Sequence, residues 1–85
     1  MKLKVLFFAR LREELGTSSE VIDLPESAGT VSGLRAHLMR RGEAWQRLLA
    51  EGKNLKVAVN QDVAGAGAPL KAGDEVAFFP PVTGG

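Results

Sequence analysis

At 85 residues, with 45% hydrophobic and 25% charged side chains, the chain has the composition of one small folded domain, not of a disordered segment. It has too little bulk to enclose a deep active site of its own. Lys and Arg number 11 against 10 Asp and Glu, a formal charge of +1, which leaves no cationic surplus for nucleic acid or an anionic membrane. Cys is absent, which removes disulfides, thiolate nucleophiles and zinc–cysteine sites together and suits a cytoplasmic setting.

Residues 2–9 read as a first strand. Leu3, Val5, Phe7 and Ala9 share one face, expected to point to the core. The opposite face begins with Lys2 and Lys4 and turns apolar at Leu6 and Phe8, which a solvated face does not normally hold. The charges at Arg10, Arg12, Glu13 and Glu14 interrupt the apolar run too early for a signal-peptide core or a membrane span. Residues 10–15 are expected to form a short helix, with Leu11 and Leu15 four apart and Gly16 ending it. A second strand is expected over residues 20–24, with Val21 or Ile22 inward and Pro25 as its stop.

Thr30 has the character of an N-cap for the main helix, whose apolar stripe is Val31, Leu34, Leu38 and Met39. Arg40 and Arg41 are placed in its last turn and Gly42 at its end. A shorter helix follows over residues 43–51, with Trp45, Leu48 and Leu49 as its apolar side and Gly52 closing it. Residues 54–60 make a third strand with Leu55, Val57 and Val59 on one face and Ala58 on the other. Residues 61–69 read as a loop or weak edge strand, and residues 75–79 as the last strand. In that strand Val76 and Phe78 point one way, Ala77 and Phe79 the other. This order fits an α+β fold, a mixed sheet with one main helix across one face. Leu6, Phe8, Ala58, Ala77 and Phe79 are then left on the outer face as a contiguous apolar patch. Such a patch marks a partner site unless the short helix or residues 61–69 fold over it.

The chain is poor in catalytic chemistry. His37, the only histidine, lies on the main helix with no Cys nearby and reads as a surface residue. Glu13–Glu14 and Asp74–Glu75 are adjacent pairs whose side chains diverge, so neither forms an acid–base dyad. Ser18, Ser19 and Ser27 have no local base to activate them. Gly65-Ala66-Gly67 is not followed by the Gly-Lys-Ser/Thr of a phosphate loop.

What remains distinctive is the end of the chain, Phe78-Phe79-Pro80-Pro81-Val82-Thr83-Gly84-Gly85. A proline cannot donate to a sheet ladder, so pairing stops at Phe79, and two prolines favour a stiff, extended path. The chain therefore divides into a domain over residues 1–79 and an extended tail over 80–85, which reaches roughly 20 Å at about 3.3 Å per residue. Gly84 and Gly85 fit a slot that excludes side chains, and the last functional group is the Gly85 carboxylate. A Gly-Gly end alone also suits a disordered terminus; the aromatic anchor and prolines upstream argue against that here.

With these residues laid out, the chain resembles the small, sulfur carrier subunit of molybdopterin synthase, the MoaD-type family with the ubiquitin-like β-grasp fold. The resemblance spans nearly the whole chain. It is strongest at Lys4-Val5-Leu6-Phe7-Phe8-Ala9, at Ala58-Val59-Asn60-Gln61 and from Gly73 to the Gly-Gly end. It implies that an E1-like enzyme uses ATP, with Mg, to adenylate Gly85, and that a sulfur donor protein then converts it to a thiocarboxylate. Residues 80–85 (Pro80, Pro81, Val82, Thr83, Gly84 and Gly85) would enter the active site of a large catalytic subunit, where the sulfur passes to a cyclic pyranopterin precursor. It further implies a heterotetramer of two small and two large subunits. In it Phe8 and Phe79, with Leu6, Ala77, Arg12 and Val63, meet the large subunit, and this chain binds no cofactor, metal, nucleic acid or membrane itself. The subunit would supply sulfur without catalytic residues of its own. Alternatives are a thiazole-pathway sulfur carrier, a modifier joined to lysines through Gly85, and an interaction module with an inert tail.

Overall fold

The computed structural model describes residues 1–50 and 55–80. Strand β1 (Lys2–Phe7) leads into helix α1 (Arg10–Leu15) and strand β2 (Ser19–Asp23). A 3-10 turn (Glu26–Ala28) precedes helices α2 (Val31–Met39) and α3 (Glu43–Leu49). Strands β3 (Lys56–Val59), β4 (Asp62–Ala64) and β5 (Glu75–Phe79) complete the order. The sheet runs β2-β1-β5-β3-β4. Only the central pair, β1 with β5, is parallel; β1–β2, β3–β5 and β3–β4 are antiparallel. This is the mixed sheet of a β-grasp fold, in which the first and last strands lie side by side.

One face of the sheet makes the core. Leu3, Val5 and Phe7 of β1, Ile22 of β2, Val57 of β3 and Val76 and Phe78 of β5 are buried against Val31, Leu34 and Leu38 of α2. Full burial of each large apolar side chain contributes about 1.5–3 kcal/mol. Phe7 stacks on Phe78 with centroids 6.0 Å apart and meets the edge of Trp45 at 5.6 Å, so α3 closes the core over the central strands. The α2 stripe lies where its spacing predicts, and Thr30 caps the helix by accepting the Gly33 N–H at 3.0 Å. Gly33 is required for packing, because a Cβ there would collide with the Ala28 carbonyl oxygen.

Several sequence expectations need correction. The first strand stops at Phe7, and Ala9 is exposed instead of facing the core, because the chain turns at Ala9 to enter α1. The second strand is Ser19–Asp23, with Ile22 inward and Val21 outward. Gly42 does not terminate α2; Arg40 is its C-cap and Gly42 is the N-cap of α3. Helix α3 ends at Leu49, and the expected closure at Glu51 and Gly52 lies outside the described residues. The third strand begins at Lys56, and Asn60 belongs to the turn after it; Asn54 also lies outside the described residues.

Arg35 went unremarked in the sequence, beside the apolar stripe of α2, and is buried. Its Nε and Nη2 donate to the Leu49 carbonyl at 3.1 and 2.7 Å, and Nη2 also donates to the Ala50 carbonyl at 3.0 Å. A cation at the carbonyl end of a helix is favourably placed against its dipole. Arg35 therefore ties the end of α3 to α2.

Candidate functional site

The outer face of the sheet is built by register. Leu6 of β1 lies opposite Ala77 of β5, Ala77 opposite Ala58 of β3, and Ala58 opposite Val63 of β4. The four form one apolar row across four strands. Beside this row, towards the C-terminal end of β5, Phe8 and Phe79 stack with centroids 4.7 Å apart and planes within 5°. Lys56 is paired with Phe79 at that edge, and Lys4 with Glu75 at the opposite edge.

The row is not flat. Val63 is 82% exposed, while Ala58 and Ala77 are only 7% and 6% exposed, so two alanines floor a trough flanked by larger side chains. The residues expected on the outer face lie on it by register, but Ala58 and Ala77 are buried there, so Ala77 contributes backbone and shape more than surface. Phe8 and Phe79 are 39% and 36% exposed, so neither the short helix nor residues 61–69 covers the aromatic pair. Two large aromatics left half in water on a domain this small are the feature most in need of a partner.

The connection after β4 goes elsewhere. Its Ala66 and Ala68 carbonyls accept the Ser32 and Val31 N–H groups, and Leu70 donates to the Gly29 carbonyl. The Ala66 and Ala68 carbonyls, in and just after the Gly-Ala-Gly segment, therefore cap the N-terminus of α2. The donors a phosphate would need are already used.

Pro80, half-buried, is the last described residue and directly follows Phe79. The remaining tail residues, Pro81, Val82, Thr83, Gly84 and Gly85, lie outside the described residues. The root of the tail is therefore at the aromatic end of the outer face. Arg12 is exposed on α1 and makes no ion pair among the described residues. Between Phe8 and α1 stands Ala9, at φ 52° and ψ −126°. For a residue with a Cβ this backbone costs of order 1–3 kcal/mol.

A polar hub, missed in the sequence, holds the strands of this face in place. Asn60 and Gln61 both have positive φ and form the two-residue turn between β3 and β4, a turn for which Asn is suited. Asn60 donates through Nδ2 to Asp74 at 3.0 Å and accepts the Glu75 N–H at 3.0 Å. Asp74, 4% exposed, also accepts the Lys71 N–H at 2.9 Å and has the Lys71 ammonium 3.4 Å away. The turn is thereby tied to the start of β5. The exact two-residue gap between Val59 and Asp62 was the available signal, but it lacks the glycine that usually marks such turns.

The Asn60 amide, then the Lys71 N–H, hold the Asp74 carboxyl below its ordinary value, against the opposing effect of burial. A depressed native pKa means that the unfolded chain takes up the proton first. The contribution is present above the ordinary carboxylate value of about 3.9 and is lost as the pH falls through the native value. The thermal midpoint is expected to fall on acidification below about pH 4 more steeply in the natural chain than in Asp74→Asn. Superimposable pH curves for the two proteins would refute this role.

Among the described residues no catalytic constellation accompanies the face. Glu14 is paired with Arg47 and Glu20 with Arg41. Among the described residues no His, Cys, Asp and Glu group is arranged to hold a metal ion, and no helix is long and apolar enough to cross a membrane.

Comparison with known proteins agrees with this architecture. The model of the ThiS family matches residues 5–85. The molybdopterin synthase sulfur carrier subunit of Escherichia coli K12 is 48% identical over 85 residues, covering 98% of this chain and 99% of that protein. Among solved structures, SAMP1 from Haloferax volcanii superposes with a TM-score of 0.83 at 29% identity, covering all of both chains. A chain in the protein–protein complex of subunits 1 and 2 of the molybdopterin-converting factor from Helicobacter pylori gives 0.67 at 28% identity, again over all of both chains.

Proposed function

This chain belongs to the ThiS family, and from that premise we propose that it is the sulfur carrier subunit of molybdopterin synthase, with Gly85 as the sulfur-bearing residue. The observation that carries the reading is the stacked Phe8–Phe79 pair, half-exposed on the outer face and one residue from the root of a tail ending in Gly-Gly. The full-length similarity to named sulfur carrier subunits supports the choice of pathway.

The chemistry follows from the terminal group. A free carboxylate is a poor electrophile. In the active site of an E1-like enzyme a Gly85 oxygen attacks the α-phosphorus of ATP, pyrophosphate leaves, and the acyl adenylate gains a good leaving group. The outer sulfur of a persulfide on a donor protein then attacks the acyl carbon and AMP departs; a second thiol, supplied by the partner proteins, cleaves the resulting acyl disulfide, becoming part of a disulfide and leaving the thiocarboxylate on Gly85. Its sulfur is the nucleophile delivered to the pyranopterin precursor in the large subunit. This chain supplies a docking face, a stiff arm from Pro80 and Pro81, and a tip without side chains. Acids, bases and the Mg-ATP site belong to the partners. The Phe8–Phe79 face, with Leu6, Val63 and Arg12 around it, docks the large subunit and the activating enzyme in turn, so the two compete. The setting is cytoplasmic, and the assembled synthase has two small and two large subunits.

The test is mass spectrometry of the intact chain and its C-terminal peptide after incubation with ATP, the activating enzyme and a sulfur donor. The expected result is one oxygen replaced by sulfur, confined to Gly85. An unchanged terminus with active enzymes would overturn the reading. The likeness to SAMP1, a small archaeal modifier protein, favours a second reading in which Gly85 is joined to lysines of other proteins. Lysine conjugates in cells, with no thiocarboxylate, would select it.

A further inference from the structure

We propose that Ala9 is a positioning residue for the docking face: its left-handed corner holds Phe8 flat on Phe79 at the root of the tail. The inference rests on the reading above that this face docks a partner.

The argument starts from how little chain is available. Strand β1 ends at Phe7 and α1 begins at Arg10, so only Phe8 and Ala9 make the reversal. Both ends of that short link are held. The Phe8 N–H donates to the Phe78 carbonyl at 3.2 Å, which keeps Phe8 tied to β5. Its carbonyl accepts the Leu11 N–H at 3.1 Å, and the Ala9 carbonyl accepts the Glu13 N–H at 3.2 Å. Leu11 is buried in the core, so α1 cannot shift to relieve the corner. The remaining freedom is the φ and ψ of Ala9, and these close the turn at 52° and −126°. That is the first central position of a type II′ turn, a place that favours Gly. A residue with a Cβ persists there only because its surroundings over-determine it.

The result of the closure is the orientation of the Phe8 ring. With its own N–H and carbonyl both engaged, Phe8 leaves the sheet with its ring 5° from parallel to that of Phe79. If Ala9 moved to negative φ, one of the three backbone bonds would break and the stack would open. The backbone of residue 9, not its methyl group, is what the face needs.

Two substitutions separate this role from general stability. Val, β-branched, does not tolerate positive φ; Gly adopts it freely. Binding to the large subunit of molybdopterin synthase is measured by calorimetry below the unfolding transition of each variant. The Phe8 and Phe79 ring-proton shifts, moved upfield by stacking, are recorded by NMR. Ala9→Val is expected to weaken binding by at least about tenfold and to move both sets of shifts towards unstacked values. Ala9→Gly is expected to preserve the shifts, to restore binding and to raise the thermal midpoint. Natural shifts or natural affinity in folded Ala9→Val would overturn the proposal. Should Ala9→Val not fold, Ala9→Gly decides: lost stacking or a lowered midpoint overturns it. Phe79→Asp in the same assay isolates the premise. Undiminished binding by that variant removes the docking reading, while the ring shifts of the Ala9 variants still test the corner.

Discussion

Adding one glycine after Gly85, or deleting Gly85, is expected to stop sulfur transfer while leaving affinity for the large subunit nearly unchanged. One residue of fully extended chain spans about 3.3 Å. Reacting atoms must approach to about 3–3.5 Å, and a misplacement of about 1 Å costs on the order of a hundredfold in rate. Both variants should therefore lose at least about a hundredfold in transfer. On the proposed reading binding should persist, because the apolar row on β1, β5, β3 and β4 precedes the tail. Single-turnover transfer and calorimetry on the same preparations separate the two effects. Transfer at the natural rate from either variant would rule out a terminal-carboxylate mechanism.

The second large effect is expected at the aromatic pair. Phe79→Asp places a charge at the aromatic end of the apolar face, beside the root of the tail, and removes the stack with Phe8. Central aromatic anchors at interfaces contribute about 2–4 kcal/mol, a loss on the order of thirty- to a thousandfold in affinity for both the large subunit and the activating enzyme. The fold should survive, since the core ring in this strand is Phe78 and not Phe79. A cooperative thermal transition with weak binding is the expected pair of results. Gross unfolding would instead make Phe79 a core residue, and natural affinity for both partners would remove the face from docking.

The sequence made the fold legible where side-chain period and chain punctuation agree. Strand β5 was read with its full bounds, because Val76 and Phe78 alternate with Ala77 and Phe79 and Pro80 ends the ladder. Helix α1 and the Thr30 cap were legible for the same reason. The failures share another cause: they depend on what the backbone meets in three dimensions. Ala9 has no turn signature, and only the bonds from Leu11, Glu13 and Phe78 force it to positive φ. Arg35 looks like a solvated helix residue until the Leu49 and Ala50 carbonyls arrive beside it. Ala58 and Ala77 lie on the predicted outer face yet are buried: each is a small side chain on a strand with a neighbour on either side. Of the site, the outer aromatics were legible from their place on strands, and the hub of Asn60 and Asp74 was not.

Strand β5 is the last to be synthesised, yet it lies in the middle of the sheet, between β1 and β3. A nascent chain that stops before it has two half-sheets with unpaired inner edges and no ladder to join them. Joining the two half-sheets must therefore wait for β5, and it is slowed by the long span that β1 must close to reach its parallel partner. The residues that complete the fold are the same ones that lead directly into the tail. Chains broken off before β5 thus lack both the strand that joins the half-sheets and one ring of the Phe8–Phe79 stack.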